Sequence, residues 1–165
     1  MRWIYITSGT TSEPKGACHT DHTLLIGGRN LGRAMGATAA DVGSIAFPIA
    51  HIGGAMYLAM LLLSGASVVL LERFVPAEAI ELLGRYGATL AGGSTAHYQA
   101  YLAEQRRRPG HTLIPSLRLL AGGGAPKPPE LFHQVVTEIG CQLTHAYGMT
   151  ECPLMASGSV RDSAE

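Results

Sequence analysis

Residues 89–145, TLAGGSTAHYQAYLAEQRRRPGHTLIPSLRLLAGGGAPKPPELFHQVVTEIGCQLTH, decide the fold class. The segment opens on Thr89–Ala91, a short β-favouring run. A helix follows over Thr95–Arg107, with Tyr98, Tyr101 and Leu102 on one face and Pro109 and Gly110 to end it. Leu117–Ala121 reads as a second strand, Pro129–Ile139 as a second helix with proline at its start, and Gln142–His145 as a third strand. Strands alternating with helices of this length predict parallel pairing through right-handed crossovers. The fold class is therefore α/β, a mainly parallel sheet flanked by helices on both faces.

The same alternation continues toward the amino terminus. Pro76 starts a helix over Ala77–Tyr86 that buries Ile80, Leu82 and Leu83, with Gly87 closing it. Before it come a strand at Ser67–Leu71, a helix at Gly54–Leu63 and a strand at Gly43–Phe47. Thr20 or Asp21 caps a helix that runs to Met35 and stops at Gly36, and Trp3–Thr7 is an opening strand. Ligands of such sheets sit beyond the carboxyl ends of the strands. The Gly-, Ser- and Thr-rich segments Ser8–Gly16, His51–Gly54, Gly92–Thr95, Gly122–Pro126 and Tyr147–Glu151 are thus expected to converge on one rim.

Bulk composition narrows the class. A chain of 165 residues makes one domain or part of one. Its 15% of charged residues falls short of the roughly 25% of a soluble domain, which predicts surfaces covered by something larger. Lys plus Arg and Asp plus Glu number 12 each, so no long-range field draws in nucleic acid. Val42–Leu71 carries no Asp, Glu, Lys or Arg, but Pro48, His51, Gly53, Gly54, Ser64 and Gly65 break it into strand, loop, helix, turn and strand, which argues against a membrane span. Cys18, Cys141 and Cys152 are odd in number and widely spaced, with no leader pattern, so a reduced cytoplasmic protein is expected. Cys18, His19, Asp21 and His22 lie close in sequence, yet a hairpin entering a helix does not aim them together as zinc ligands. Packing and capping is their reading, and the dipole of a helix end accounts for Arg106–Arg108.

The stretch TSGTTSEPKG, Thr7–Gly16, combines five hydroxyls, two glycines and Lys15. Such a loop can offer many donors to a polyphosphate while Lys15 adds a point charge and Pro14 limits its freedom. It is not a Walker A loop, because Pro14 and Gly16 stand where that motif requires glycine and a hydroxyl residue. A solvated turn between two strands has a similar composition.

In its order of residues TSGTTSEPKG resembles the phosphate-loop signature of the adenylate-forming (AMP-binding) superfamily of acyl- and aryl-CoA synthetases, luciferases and peptide-synthetase adenylation domains, departing from it at Ser12, where glycine is usual. Pro48–Gly54 (PIAHIGG), Ala121–Leu131 (AGGGAPKPPEL) and Ala146–Glu151 (AYGMTE) resemble further motifs of that superfamily in the same order, with Lys127 in place of a usual aliphatic residue. The resemblance implies a central part of an AMP-binding domain over 1–165, the superfamily's N-terminal region and C-terminal lid being absent and the remainder of the enzyme expected as a physical partner.

It also implies ATP, Mg²⁺ and a carboxylic acid as ligands, with coenzyme A taking the acyl group. Thr7, Ser8, Gly9, Thr10, Thr11 and Lys15 would grip the phosphates, and Gly124, Ala125, Pro126, His145, Ala146, Tyr147, Gly148, Met149 and Thr150 the AMP portion. Tyr147 would stack on adenine, Thr150 bond the α-phosphate, and Glu151 with Thr10 hold Mg²⁺. His51, Gly93, Ser94, Gly124 and Gly148 would meet the acid, and Lys15, His51, Thr150 and Glu151 would be the catalytic set. Aliphatic, alicyclic and aryl acids all remain open, as do a non-catalytic nucleotide-binding remnant and a peptide-synthetase module.

Overall fold

The structure is a computed structural model and describes residues 2–8 and 13–162. Its main body is a six-stranded sheet. In chain order its strands are β3 (Val42–Ile45), β4 (Ser67–Leu70), β5 (Leu90–Gly93), β6 (Leu119–Gly123), β7 (Gln142–Met149) and β8 (Cys152–Ser157). They lie in the spatial order β4-β3-β5-β6-β7-β8, parallel through β7 with β8 returning antiparallel at the edge. A hairpin of β1 (Trp3–Thr7) and β2 (Lys15–His19) forms a separate two-stranded sheet.

The two faces follow from the alternation of side chains along a strand. Leu90, Leu119 and Ala121 pack with Leu31 and Met35 of α1 (Asp21–Met35) and with Met56, Tyr57 and Met60 of α2 (Ile52–Ser64). Their neighbours Ala91 and Leu120, with Leu143, face α3 (Pro76–Arg85), α4 (Thr95–Arg107) and α5 (Pro129–Gln134) through Leu83, Tyr98, Leu102 and Leu131. Helix ends obey their local signals. Thr20 caps α1 by accepting the Thr23 N–H, and Gly36 and Gly65 close α1 and α2 with φ near +57° and +72°. No described helix is long and apolar enough to cross a membrane.

The expected architecture holds, with informative differences. β5 and β6 run two residues further than expected, through Gly92–Gly93 and Gly122–Gly123, because the backbones meet there too closely for side chains. A Cβ on Gly122 would stand 1.6 Å from the Gly93 carbonyl oxygen. The last expected strand, Gln142–His145, continues to Met149, and β8 pairs back onto it. The phosphate-loop segment reaches the sheet through the β1–β2 hairpin, docked by Tyr5 against Leu24, Ile52 and Ala55, and so is not an extension of a sheet strand. The helix after Pro129 turns into a π-helical stretch over Val135–Ile139.

The amino edge of the sheet is fixed by one ionic network. Asp41, 4% exposed, receives bonds of 2.8 Å from both Nε and an Nη of Arg118, one of 2.7 Å from the Thr89 hydroxyl and one of 2.9 Å from the Thr38 N–H. Arg118 also donates to the carbonyls of Met35 and Gly36, tying α1 to the strand ends. Burial alone raises the Asp41 carboxyl, but the bonds from Arg118, Thr89 and Thr38 outweigh it and hold the group well below the usual carboxylate range.

A folded-state pKa lowered in this way means that the Asp41 contribution is complete above the unfolded value, about 3.9, and is lost as pH falls below it. Asp41→Asn should therefore lower stability at pH 7 by about 3 kcal/mol, the scale of breaking a buried pair. The gap to the parent should narrow below about pH 4. Urea titrations of both proteins at pH 7 and pH 3 check this, and an unchanged gap at the two pH values contradicts the assignment.

Candidate functional site

The segments that end β3, β6 and β7 open at the carboxyl edge of the sheet onto a cavity of about 490 Å³. Thr7, Ser8 and Lys15 of the hairpin form one wall, and Thr150 and Glu151, the turn between β7 and β8, form another. Gly122, Gly123, Gly124, Ala146 and Gly148 supply a floor of backbone, and Phe47, His51 and Gly53 close the side beyond β3. Leu31, Met35, Met56 and Ala121 are the apolar part of its lining, with Tyr57, whose buried hydroxyl has no partner among the described residues, beside them. The lining thus combines polar side chains and backbone with apolar residues, the usual make-up of a small-molecule site.

Each wall is held by local structure. Thr7 pairs with Lys15 across the hairpin, and its hydroxyl donates to the Lys15 carbonyl at 3.3 Å, leaving the lysine side chain exposed. His51 caps α2: its Nδ1 accepts the Gly53 N–H at 3.0 Å, so the proton of a neutral ring sits on Nε2. Phe47 stacks on the same ring at a centroid distance of 5.9 Å. The amino end of α2 therefore meets the cavity, and its dipole favours negative charge there.

At the opposite wall, the pairing of Tyr147 with Ala156 and of Met149 with Cys152 brackets an irregularity that contains Pro153. A residue without an N–H is tolerated at such a bulge on an edge strand. Gly148 is required there, since a Cβ would stand 2.3 Å from the Pro153 carbonyl oxygen.

Of the expected site residues, Thr7, Ser8, Lys15, His51, Gly124, Ala146, Gly148, Met149, Thr150 and Glu151 meet on this one cavity. Gly9, Thr10 and Thr11, expected on phosphate and metal, lie outside the described residues, as does Ser12. The remaining expected residues stand off the cavity wall. Tyr147 is 60% exposed on β7. Gly93 lies inside β5, its carbonyl taken by the Tyr98 hydroxyl at 3.1 Å. Ser94 caps α4 and is bonded to His97, whose imidazole burial lowers in pKa. The Pro126 carbonyl accepts the Thr95 hydroxyl, and Ala125 lies in the same loop. His145 is held below its ordinary pKa by burial, with the charge of Lys127 acting in the same direction.

The side chains near Cys18 are used separately. Cys18 is exposed, His19 bonds the Thr150 carbonyl, and Asp21 takes the Trp3 indole N–H at 2.8 Å. The sequence reading missed the apolar lining. Leu31, Met35 and Met56 fall within expected helices that carried no expected site role, and the packing of α1 and α2 against β6 turns them toward the cavity.

The sequence model of a family described as AMP-binding enzyme matches residues 2–165. A 2-succinylbenzoate–CoA ligase of Bacillus subtilis is 31% identical over 148 residues, which is 90% of this chain and 29% of that protein. The structure of o-succinylbenzoate coenzyme A synthetase from Bacillus subtilis in complex with ATP and magnesium superposes with a TM-score of 0.81 at 29% identity, covering 94% of this chain and 32% of that one. ATP-bound MatB from Rhodopseudomonas palustris gives a TM-score of 0.84 at 27% identity, covering 98% and 31%. The chain spans between 29% and 33% of the length of the first curated relatives it matches.

Because relief at Gly148 would require two backbones to separate, Gly148→Ala should cost about 1–3 kcal/mol, the range for overpacking. Hydrogen exchange should quicken in β7 and β8 while β3 and β4 keep their protection. Unchanged exchange in β8 would show that the contact with Pro153 is not the constraint.

Proposed function

This chain belongs to the family of AMP-binding enzymes, and from that premise we propose that it is the nucleotide-handling part of an AMP-forming acid–CoA ligase. The observation that carries the reading is the single cavity shared by Lys15, His51 and the Thr150–Glu151 turn. Residues 1–165 are then the central part of an AMP-binding domain, completed by other parts of the enzyme. Three free thiols, Cys18, Cys141 and Cys152, fit a reducing, cytoplasmic setting.

The donor set fits the ligands. Glu151 presents an exposed hard oxygen suited to Mg²⁺, which when bound neutralises phosphate charge. Lys15 supplies a cation on the cavity wall, and the glycine floor lets phosphate oxygens approach backbone. In the reaction a carboxylate oxygen of the acid attacks the α-phosphorus of ATP, and the bond to pyrophosphate breaks to leave acyl-AMP. The thiol of CoA then attacks the acyl carbon and AMP departs.

Two anions must meet, so positioning and charge neutralisation carry the first step. Lys15 steadies the departing pyrophosphate, and Thr150 offers a neutral donor where charge develops on the α-phosphate. His51 presents Nε2–H beside the acid carboxylate, and Tyr147, exposed beside the cavity, offers a ring face to adenine. The apolar lining of Leu31, Met35, Met56 and Ala121 suits an apolar acid, of the fatty or aryl kind.

The test is acid-dependent exchange of labelled pyrophosphate into ATP, measured with a panel of aliphatic, alicyclic and aryl acids. The protein should carry every residue encoded in frame with this chain. Exchange should depend on Mg²⁺, and Glu151→Gln should lower kcat/KM on the order of 100-fold, the scale of losing one preorganised charge-stabilising group. Binding of MgATP without exchange for any acid would leave a non-catalytic nucleotide-binding role instead.

A further inference from the structure

We propose that His19 is a positioning residue that sets the spacing between Lys15 and Glu151, an inference that rests on the nucleotide-binding reading of the cavity. The two cavity walls that carry these residues belong to different sheets. The β1–β2 hairpin shares no strand pairing with the six-stranded sheet. Its apolar anchor, Tyr5 against Leu24, Ile52 and Ala55, binds it to α1 and α2, against which β8 also packs, but includes no residue of the β7–β8 turn.

His19, the last residue of β2, closes that gap. Its Nε2 stands 2.7 Å from the carbonyl oxygen of Thr150, 131 positions further along the chain. Among the described residues this is the one hydrogen bond between the hairpin and β7, β8 or their turn. A carbonyl only accepts, so Nε2 carries the proton, as it does in both the neutral ε tautomer and the imidazolium. His19 is 4% exposed and its ring packs edge-on to Tyr5 at a centroid distance of 6.3 Å, so its direction is fixed by packing.

The bonded carbonyl belongs to Thr150, which lines the cavity, has the α-phosphate as its proposed partner and lies one peptide from the Glu151 carboxylate suited to Mg²⁺. Lys15 lies four residues before His19 on the same strand. The contact is therefore a strut from the lysine that steadies the leaving pyrophosphate to the turn that carries the metal ligand. His19 does not line the cavity, so it acts through Thr150.

The experiment uses the protein with all of its in-frame flanking residues and compares the parent with His19→Leu and His19→Gln. Leucine fills the site without a donor, whereas the glutamine amide can present one near the Nε2 position. His19→Leu should raise KM for MgATP and the Mg²⁺ concentration for half-maximal exchange, each about tenfold, the factor of one lost hydrogen bond. KM for the acid should stay near the parent value, and His19→Gln should recover most of the loss. A parental KM for MgATP in His19→Leu overturns the proposal, as does equal damage by both variants with the acid KM moving in step, which marks a purely structural role.

If His19→Leu does not fold, ring ¹⁵N spectra of the parent decide. A slowly exchanging Nε2–H supports the strut and a Nδ1–H tautomer refutes it. A parent that binds no MgATP removes the nucleotide-binding reading and this proposal with it, an outcome distinct from a competent parent whose variants are unaffected.

Discussion

Parallel register brings Gly93 beside Gly122 and Gly123 beside Ala146 at the carboxyl edge of β5, β6 and β7, and the rest of the site depends on that crowding. A Cβ on Gly123 would stand 2.3 Å from the Ala146 carbonyl oxygen, so β6 ends between its neighbours in a surface of bare backbone. Such a surface lets a ligand come close to peptide groups and leaves its charged partners to be brought in from elsewhere. They come from the hairpin, as Lys15, and from the β7–β8 turn, as Glu151.

The two edges of the sheet use charge in opposite ways. At the amino edge Asp41 and Arg118 satisfy each other and bind α1 to the strand starts. At the carboxyl edge Lys15 and Glu151 are exposed across an open cavity and form no ion pair among the described residues. Saturated charge locks the scaffold, and unsaturated charge is what a triphosphate with its metal can use. Placing the first network on the edge away from the site allows both to coexist in one small sheet.

The acid–CoA ligase reaction we propose suits this division. A reaction between a carboxylate and a polyphosphate needs little covalent assistance and a great deal of placement. Placement here is a property of the joint between two sheets. The apolar docking of Tyr5 and the polar contact of His19 with Thr150 hold that joint from different sides.

Much of this was legible in the residues themselves. Thr20 and Gly36 bounded α1, Pro76 began α3 and Thr95–Arg107 gave α4 to the residue, because caps, proline and apolar spacing act within a few positions of the chain. The order of residues at Thr7–Gly16 and Ala146–Glu151 carried the resemblance to the AMP-binding family. Tertiary structure alone decided that Gly92–Gly93 and Gly122–Gly123 are strand and that Met149 ends a hairpin. It alone turned Leu31 and Met56 toward a cavity and brought His19 to Thr150. Those outcomes depend on neighbours dozens of residues away, where close backbone packing overrides the low strand preference of glycine and where a contact spanning 131 positions leaves no local trace.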